Sequence, residues 1–174
     1  EQDELLRKAV EFGYGIRLLQ QDPFEMLISF IISANNRIPM IKRAIENISR
    51  TYGKKLEYNG ETYYAFPTIK EFQEATLEEV EGLGVGFRAK YIVKALEDLA
   101  NGTYDLTAIR LSDDDTCHEG LKNFSGVGPK VADCIMLFSM GKYSAFPVDV
   151  WVKRAMQYFY VAPDVSLPKI RQFA

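Results

Sequence analysis

Lys130 follows the segment Gly126-Val127-Gly128-Pro129, and its position in the sequence is locally unfavourable for a charged lysine. Proline predicts the first position of a helix, so Lys130 falls in the first turn of that helix. A cation there opposes the positive end of the helix dipole, which favours the neutral amine. A neutral lysine amine is a nucleophile that forms Schiff bases with aldehyde-level carbons. The alternative is an ordinary exposed lysine bound to a phosphate.

Asp149 is the second candidate, in the mostly apolar segment Phe146-Pro147-Val148-Asp149-Val150-Trp151. A carboxylate in such surroundings is expected to be partly buried and therefore paired or capping a helix. As an N-cap it would accept backbone N–H bonds and stay ionised. An anion held in this way can stabilise a developing oxocarbenium ion or accept a proton. The alternative is a plain helix cap.

The turn at Gly126 and Gly128 is suited to an anion. Both glycines permit positive φ and close approach of another backbone, and N–H groups at a helix start attract phosphate. A weaker copy of this turn spans 83–89, and there Phe87 and Arg88 suit intercalation and base-edge contact. The alternatives are a packing corner in the first case, and a core Phe beside a surface Arg in the second.

The other polar residues give weaker indications of a functional site. Asn35 and Asn36 interrupt the end of an apolar helix, where their amides could bond to base edges or cap the helix. Two cysteines and one histidine are too few for a four-cysteine iron–sulfur cluster or a zinc finger. Cys117 and His118 are therefore interpreted as structural.

The whole chain has 174 residues, which predicts one domain or two small helical lobes that share a groove. Its 47% hydrophobic content allows a core without metal or disulfide. The lack of a signal-peptide pattern or membrane-length apolar run predicts a soluble intracellular protein. The net charge of −3 argues against bulk electrostatic binding of DNA, so any such binding must rest on local geometry. The polar start and the end within a helical pattern suggest a piece of a longer protein.

Helix signals recur along the chain and predict an all-α fold with one small hairpin. The segment Asp22-Pro23-Phe24-Glu25 should begin an apolar helix that runs to about Ser33 at the centre of the core. Asn59-Gly60, within the Tyr- and Thr-rich segment 56–66, predicts the peripheral hairpin. The acidic run Asp113–Asp115 is expected to be a solvated loop. Further helices are expected near 3–11, 39–53, 76–82, 86–99, 105–111, 116–124, 129–140, 150–160 and from 166.

Four segments together resemble the helix-hairpin-helix/Gly-Pro-Asp (HhH-GPD) superfamily of DNA glycosylases, and within it the 8-oxoguanine DNA glycosylase/AP lyases. They are DPFEMLISFIISANN (22–36), LGVGFRAKYI (83–92), FSGVGPKVADCIMLF (124–138) and FPVDVW (146–151). Their order and the spacing from Lys130 to Asp149 fit the family. The resemblance implies an all-α catalytic core of two helical lobes over 1–174, with the helix-hairpin-helix motif at 121–134. The family's N-terminal β-rich domain and last helices would be missing.

The resemblance also implies roles in base excision repair. Lys130 would attack the sugar C1′ of a flipped-out oxidised guanine, and the resulting Schiff base would permit an AP-lyase step. Asp149 would support the sugar's positive charge and help to position or deprotonate the lysine. Asn35 would fill the vacated space, Phe87 would wedge the opposite strand, and Arg88 would contact the estranged cytosine.

The remaining implied sites surround this centre. Cys134 and Phe138 would line the base pocket, and the N–H groups around Gly126 and Gly128 would grip the damaged strand. The carbonyls of Lys122, Phe124 and Val127 would hold Na⁺ or K⁺, with no iron–sulfur cluster and no other cofactor required. The partner would be double-stranded DNA with a damaged base or an abasic site, bound by a monomer in the bacterial or archaeal cytoplasm or the eukaryotic nucleus.

Two residues depart from the family's pattern. Met40 stands where eukaryotic members carry an arginine that reads the opposite cytosine, which predicts relaxed discrimination of the opposite base. Trp151 stands where they carry a histidine, which puts one phosphate contact in doubt. Two other functions stay open: an endonuclease III-like glycosylase for another lesion, and a non-catalytic module that only binds duplex DNA. A pure binder needs neither Lys130 nor Asp149.

Overall fold

A computed structural model describes residues 3–174. Its helices are α1 (Glu4–Phe12), α2 (Pro23–Ser33), α3 (Ile38–Tyr52), α4 (Ile69–Phe72), α5 (Leu77–Val80), α6 (Ala89–Ala100), α7 (Leu106–Leu111), α8 (Asp114–Lys122), α9 (Pro129–Ile135), α10 (Val150–Phe159) and α11 (Leu167–Phe173). A π-type turn (Glu81–Val85) and a 3₁₀ turn (Gly86–Arg88) precede α6, and a second π-type turn (Met136–Met140) extends α9. The expected mostly helical fold is confirmed. Among the described residues, the helices are all too short or too polar to cross a bilayer.

The hairpin expected around Asn59-Gly60 is present. Its strands, β1 (Lys55–Tyr58) and β2 (Glu61–Tyr64), pair antiparallel with Lys55 opposite Tyr64 and Tyr58 opposite Glu61. Asn59 and Gly60 both have positive φ, as a tight two-residue hairpin turn requires. Nearly all of the strand residues are exposed, so the hairpin is peripheral to the core.

Aspartate side chains cap the starts of α2 and α8. Asp22 accepts the N–H of Glu25 at 3.0 Å, and Pro23 begins α2 as expected. The expectation of a solvated acidic loop at Asp113–Asp115 is wrong. Asp113 accepts the N–H of Thr116 at 3.0 Å, and the next two aspartates form the first turn of α8. Carboxylates are favourable there because they complement the positive end of the helix dipole.

The apolar side chains form two separate clusters. The main cluster surrounds α2, whose Leu27, Ile28 and Ile32 are fully buried, and includes residues from α3, α6, α8 and α9. The small cluster joins α10 to α11 through Val148, Met156, Ile170 and their half-buried neighbours. The two clusters are the cores of the two parts of the fold; α9 belongs to the first and α10 to the second.

Candidate active site

Lys130 is the second residue of α9, which begins at Pro129 after an N-cap at Gly128. Its side chain is exposed, and its Nζ lies 5.8 Å from the centroid of the Phe30 ring on α2. The long side chain is therefore held against an aromatic face while its amine stays accessible to a substrate. This is the placement in the first helical turn that the sequence predicts.

The glycines before Lys130 differ from each other. Gly126 has φ +86°, whereas Gly128 has φ −93°, so the expectation that both use positive φ applies only to the first. A Cβ on Gly126 would lie 2.9 Å from the ring of Tyr91 on α6, while a Cβ on Gly128 would have nothing within 4 Å. Gly126 thus allows a side chain, not a backbone, to pack closely against the hairpin, while the buried Val127 inserts into the main cluster.

Asp149 is the N-cap of α10, and its Oδ1 accepts the N–H of Val152 at 2.7 Å. The expected partial burial of Asp149 is wrong, because its carboxylate is exposed. The preceding Val148 takes the inward position and packs in the small cluster. The carboxylate is consequently oriented by one backbone donor and faces solvent, where a substrate can reach it.

One cleft brings the predicted catalytic residues together. Lys130, Asp149 and Asn35 all line a space of about 500 Å³ between α9, α10 and the α2–α3 loop. The other lining residues are Ser33, Ala34, Val131, Val148, Val150, Lys153 and Leu167. Within residues 3–174, no ion pair at or below 4.0 Å joins Lys130 to Asp149. The amine-bearing side chain of Lys130 and the carboxylate-bearing side chain of Asp149 therefore line the same space without forming an ion pair.

An aromatic and thiol cluster adjoins the amine. The rings of Phe30 and Phe138 stack with centroids 5.9 Å apart and an interplanar angle of 20°. Burial raises the pKa of the Cys134 thiol, and the Lys130 ammonium beside it partly offsets this shift. Cys134 is buried one turn after Lys130, and neither Cys134 nor Phe138 is among the described residues that line the cleft of Lys130 and Asp149. The sequence did not predict Phe30 as a site residue. Because α2 is apolar on nearly all sides, its sequence does not show which side chains face the core and which lie near the site.

Hydrogen bonds join the α2–α3 loop to the first Gly-Val-Gly turn, which is the turn at residues 84–86. Arg88 is only 6% exposed, and it donates to the carbonyls of Ala34 (Nε, 2.9 Å), Asn35 (Nη2, 2.8 Å) and Val85 (Nη1, 3.2 Å). Phe87 is 59% exposed, so the arrangement is the reverse of a core Phe beside a surface Arg. Arg88 thus holds the loop whose exposed Asn35 reaches the cleft.

The two asparagines of this loop have different positions. Asn36 donates from Nδ2 to the carbonyl of Ile32 at 3.0 Å, which caps the end of α2. Asn35 has φ +49° and lines the cleft instead. Asn36 therefore fits the capping interpretation, and Asn35 alone is placed for contact with a ligand.

Other expected residues lie around this centre. Cys117 and His118 are buried in α8, in agreement with a structural role. Lys122 is ion-paired to Glu119 at 2.8 Å, so its charge is compensated. Among the described residues, the backbone carbonyls of Lys122 and Val127 accept no backbone N–H bond, and that of Phe124 accepts one from Val127 at 3.1 Å. Such oxygens are the ligand type that hard monovalent cations use, so the residues fit the expected ion.

Comparison with known proteins adds the family. The sequence model of HhH-GPD superfamily base excision DNA repair proteins matches residues 28–173, and that of the 8-oxoguanine DNA glycosylase N-terminal domain matches residues 1–27. A probable N-glycosylase/DNA lyase of Methanothermobacter thermautotrophicus is 36% identical, over 99% of this chain and 62% of that protein. The N-glycosylase/DNA lyase of Saccharomyces cerevisiae is 38% identical, over 84% of this chain and 42% of that protein.

A solved structure is similar over almost all of the chain. It is the Clostridium acetobutylicum 8-oxoguanine glycosylase/lyase in complex with duplex DNA that contains cytosine opposite 8-oxoguanine, with a TM-score of 0.94 and 62% identity. The likeness covers 98% of this chain and 59% of that one. The chain thus spans about two-fifths to three-fifths of the length of these relatives. The chain belongs to the HhH-GPD superfamily of base excision DNA repair proteins.

Proposed function

We propose that this chain carries the catalytic centre of a bifunctional DNA N-glycosylase/AP lyase that excises 8-oxoguanine from duplex DNA. The observation that carries the proposal is that Lys130 and Asp149 line the same cleft. The substrate is inferred from the relatives, which are named N-glycosylase/DNA lyase or 8-oxoguanine glycosylase/lyase. Such an enzyme works inside the cell, wherever the genomic DNA is kept.

The first chemical step would be base displacement. With the damaged nucleotide flipped out of the stack, Nζ of Lys130 forms a bond to C1′ while the bond from C1′ to the base breaks with its electron pair. Positive charge develops on the sugar, and the carboxylate of Asp149 stabilises it across the cleft. Because the N–H of Val152 already holds this carboxylate, little reorganisation is needed at that moment.

The second step would be strand cleavage. Opening of the sugar ring leaves a protonated Schiff base between Lys130 and C1′, which withdraws electrons from the neighbouring carbon. Removal of a C2′ proton then expels the 3′ phosphate by β-elimination, and water later releases the lysine. Asp149 is the one carboxylate among the described residues that line this cleft, so we assign it the relay of protons in these steps.

The DNA-binding roles are those that the resemblance to 8-oxoguanine DNA glycosylases implies. Asn35 would enter the space left by the flipped nucleotide, and the exposed Phe87 would wedge the opposite strand. Arg88 would contact the estranged cytosine once it leaves its carbonyl partners. The N–H groups around Gly126 and Gly128 would bind a phosphate of the damaged strand.

The hairpin would also hold a monovalent cation. The backbone carbonyls of Lys122, Phe124 and Val127, which precede α9 in the chain, would bind Na⁺ or K⁺. When bound, this ion supplies positive charge for a backbone phosphate and takes no part in bond making. No other cofactor is proposed, and duplex DNA bound by a monomer remains the expected complex.

Borohydride trapping tests the proposal. The wild-type protein and its Lys130→Gln variant are incubated with a duplex that contains an abasic site and with one that contains 8-oxoguanine. We expect a covalent complex with both duplexes for the wild type and with neither for Lys130→Gln, which should still bind DNA. Lys90→Gln is the matched control, since Lys90 is likewise the second residue of a helix, α6; it should still be trapped.

Each other outcome changes the proposal. A covalent complex with abasic DNA alone would support the lyase chemistry but not 8-oxoguanine as the substrate, and would favour an endonuclease III-like enzyme for another lesion. No complex with either duplex, from folded and DNA-bound wild-type protein, would favour the non-catalytic DNA-binding module.

A further inference from the structure

A buried ion pair lies directly behind the proposed nucleophile. Asp133, three residues after Lys130 on α9, is 1% exposed. Arg171 on α11 reaches it from 38 residues away, with Nε 3.0 Å from Oδ1 and 2.8 Å from Oδ2, and with Nη2 2.8 Å from Oδ1. Two guanidinium nitrogens thus engage both carboxylate oxygens. None of the catalytic or DNA-binding roles proposed above uses either residue.

A third residue completes this cluster. The buried His118 of α8 has its Nε2 3.5 Å from Oδ1 of Asp133 and 3.3 Å from the carbonyl of Pro129, the first residue of α9. The cluster borders a second cleft of about 650 Å³, and Lys130 lines this cleft as well as the first. The hydrogen bonds that Arg171 donates to the Asp133 carboxylate raise the pKa of Arg171, in agreement with a guanidinium held in its charged form.

The ion pair connects the two apolar clusters. Asp133 is flanked by Ala132 and Cys134 on a helix that packs in the main cluster. Arg171 follows Ile170, which is fully buried in the small cluster. The proposed nucleophile stands on the first of these two parts, and Asp149 begins a helix of the second. Leu167, on the same helix as Arg171, lines the wall of the catalytic cleft.

We propose that the Asp133–Arg171 ion pair is a latch between the two parts of the fold that sets the separation of Lys130 and Asp149. Both residues are then positioning residues for the reaction, so this inference rests on the proposed function. Apolar contacts resist separation of two surfaces but are not directional. A bidentate guanidinium–carboxylate pair fixes both a distance and an angle. That property matters at this place, because a displacement of about 1 Å at reacting groups can slow a reaction on the order of 100-fold.

The test measures single-turnover Schiff-base formation with an abasic duplex in the intact protein. Arg171→Met should slow the reaction roughly 10- to 100-fold and leave the Kd for the duplex within about threefold, since Arg171 contacts no proposed DNA ligand. Arg171→Lys keeps the charge but not the planar fork, and should recover part of the rate. Lys169→Met removes an exposed positive charge from the same helix and should react as the wild type does.

Combining Arg171→Met with Asp149→Asn separates a positioning role of Arg171 from general destabilisation of the protein. If the latch acts by placing Asp149 opposite Lys130, then Arg171→Met should add less than about a threefold loss to the Asp149→Asn variant. An unchanged rate in folded Arg171→Met would overturn the latch, and so would a full additional loss in the Asp149→Asn background. If Arg171→Met does not fold, the double variant Asp133→Asn/Arg171→Gln leaves no charge unpaired and is subject to the same expectations.

The wild-type reaction distinguishes the two proposals. Failure of the wild-type protein to form any Schiff base would overturn the proposed function. A normal Schiff-base reaction of both the wild type and Arg171→Met would overturn the latch alone.

Discussion

The two Gly-Val-Gly turns have similar sequences, yet their basic residues have opposite surroundings. In each turn this residue stands two positions after the second glycine: Arg88 in the first, Lys130 in the second. Arg88 is buried and bonded to three backbone carbonyls, whereas Lys130 is exposed in a cleft. The first turn supports a neighbouring loop, and the second presents an exposed amine, which we propose to be the nucleophile.

The backbone at the second glycine explains the difference. Gly86 has φ +61° and is the first residue of the 3₁₀ turn that follows the π-type turn, and Arg88 at the end of this 3₁₀ turn is buried. Gly128 has φ −93° and ψ 179°, and Pro129 begins α9 at once, which leaves Lys130 on the outside of its first turn. A basic residue after such a motif is therefore not by itself evidence of chemistry, because one torsion angle decides which way it points.

Replacing each of the two basic residues should give the largest contrast between the turns: one replacement should lower stability, and the other should abolish the reaction. Arg88→Met should lower the free energy of unfolding by about 3 kcal/mol, because buried carbonyls would lose charged donors. Lys130→Met should leave this free energy unchanged within error while it abolishes Schiff-base formation. Urea denaturation and borohydride trapping measure the two quantities. Equal stability of Arg88→Met and the wild type would show that the first turn does not support the α2–α3 loop.

The carboxylate opposite Lys130 should affect rate more than binding. Asp149→Asn should slow single-turnover cleavage of an abasic duplex roughly 10- to 100-fold, with a smaller change in Kd for the duplex. Asp22→Asn is the matched control, since Asp22 is also an N-cap aspartate and asparagine caps helices equally well. It should change neither quantity. An unchanged rate for Asp149→Asn would remove this carboxylate from the chemistry.

Replacing the glycines of the two turns with alanine should separate the stability cost of a positive φ from the cost of a steric contact. Gly126→Ala should cost about 2 kcal/mol of stability, because alanine at φ +86° is strained and its Cβ would contact Tyr91. Gly84→Ala has a similar φ of +83° but open surroundings, and should cost about 1 kcal/mol. Gly128→Ala should cost less than about 0.5 kcal/mol, since φ is ordinary and nothing lies nearby. Thermal melts of the three variants give the order, and a costly Gly128→Ala would contradict it.

The salt dependence of DNA binding should show the smallest difference between the two turns. DNA binding should weaken as salt increases, because phosphate contacts release counterions. Lys130→Met should reduce the slope of log K against log salt concentration by about one phosphate contact at most. Arg88→Met should leave the slope unchanged, because its guanidinium is buried against carbonyls rather than directed at phosphates. Fluorescence anisotropy titrations measure both slopes, and a flat titration of the wild type would contradict phosphate binding altogether.

Local signals predicted most of the helices and the hairpin. Asp22 with Pro23, Thr76 with Glu79, and Asn59 with Gly60 each specify a helix start or a turn through contacts within a few residues. The short α4, capped by Thr68 and Glu71, was not predicted, although its capping box is visible in the sequence. The start of α8 was misplaced because a run of aspartates was interpreted as solvated rather than as a cap and first turn.

The sequence by itself determined where the helices of the site begin and that Lys130 and Asp149 each stand at such a beginning. These properties depend on hydrogen bonds and torsion angles of neighbouring residues, which local sequence specifies. Only the tertiary structure decided that Asp149 is exposed, that Arg88 is buried, and that Phe30 and Arg171 lie near the lysine. Burial and contact depend on which distant helices pack together, and side chains far apart in the chain carry no local signal of that packing.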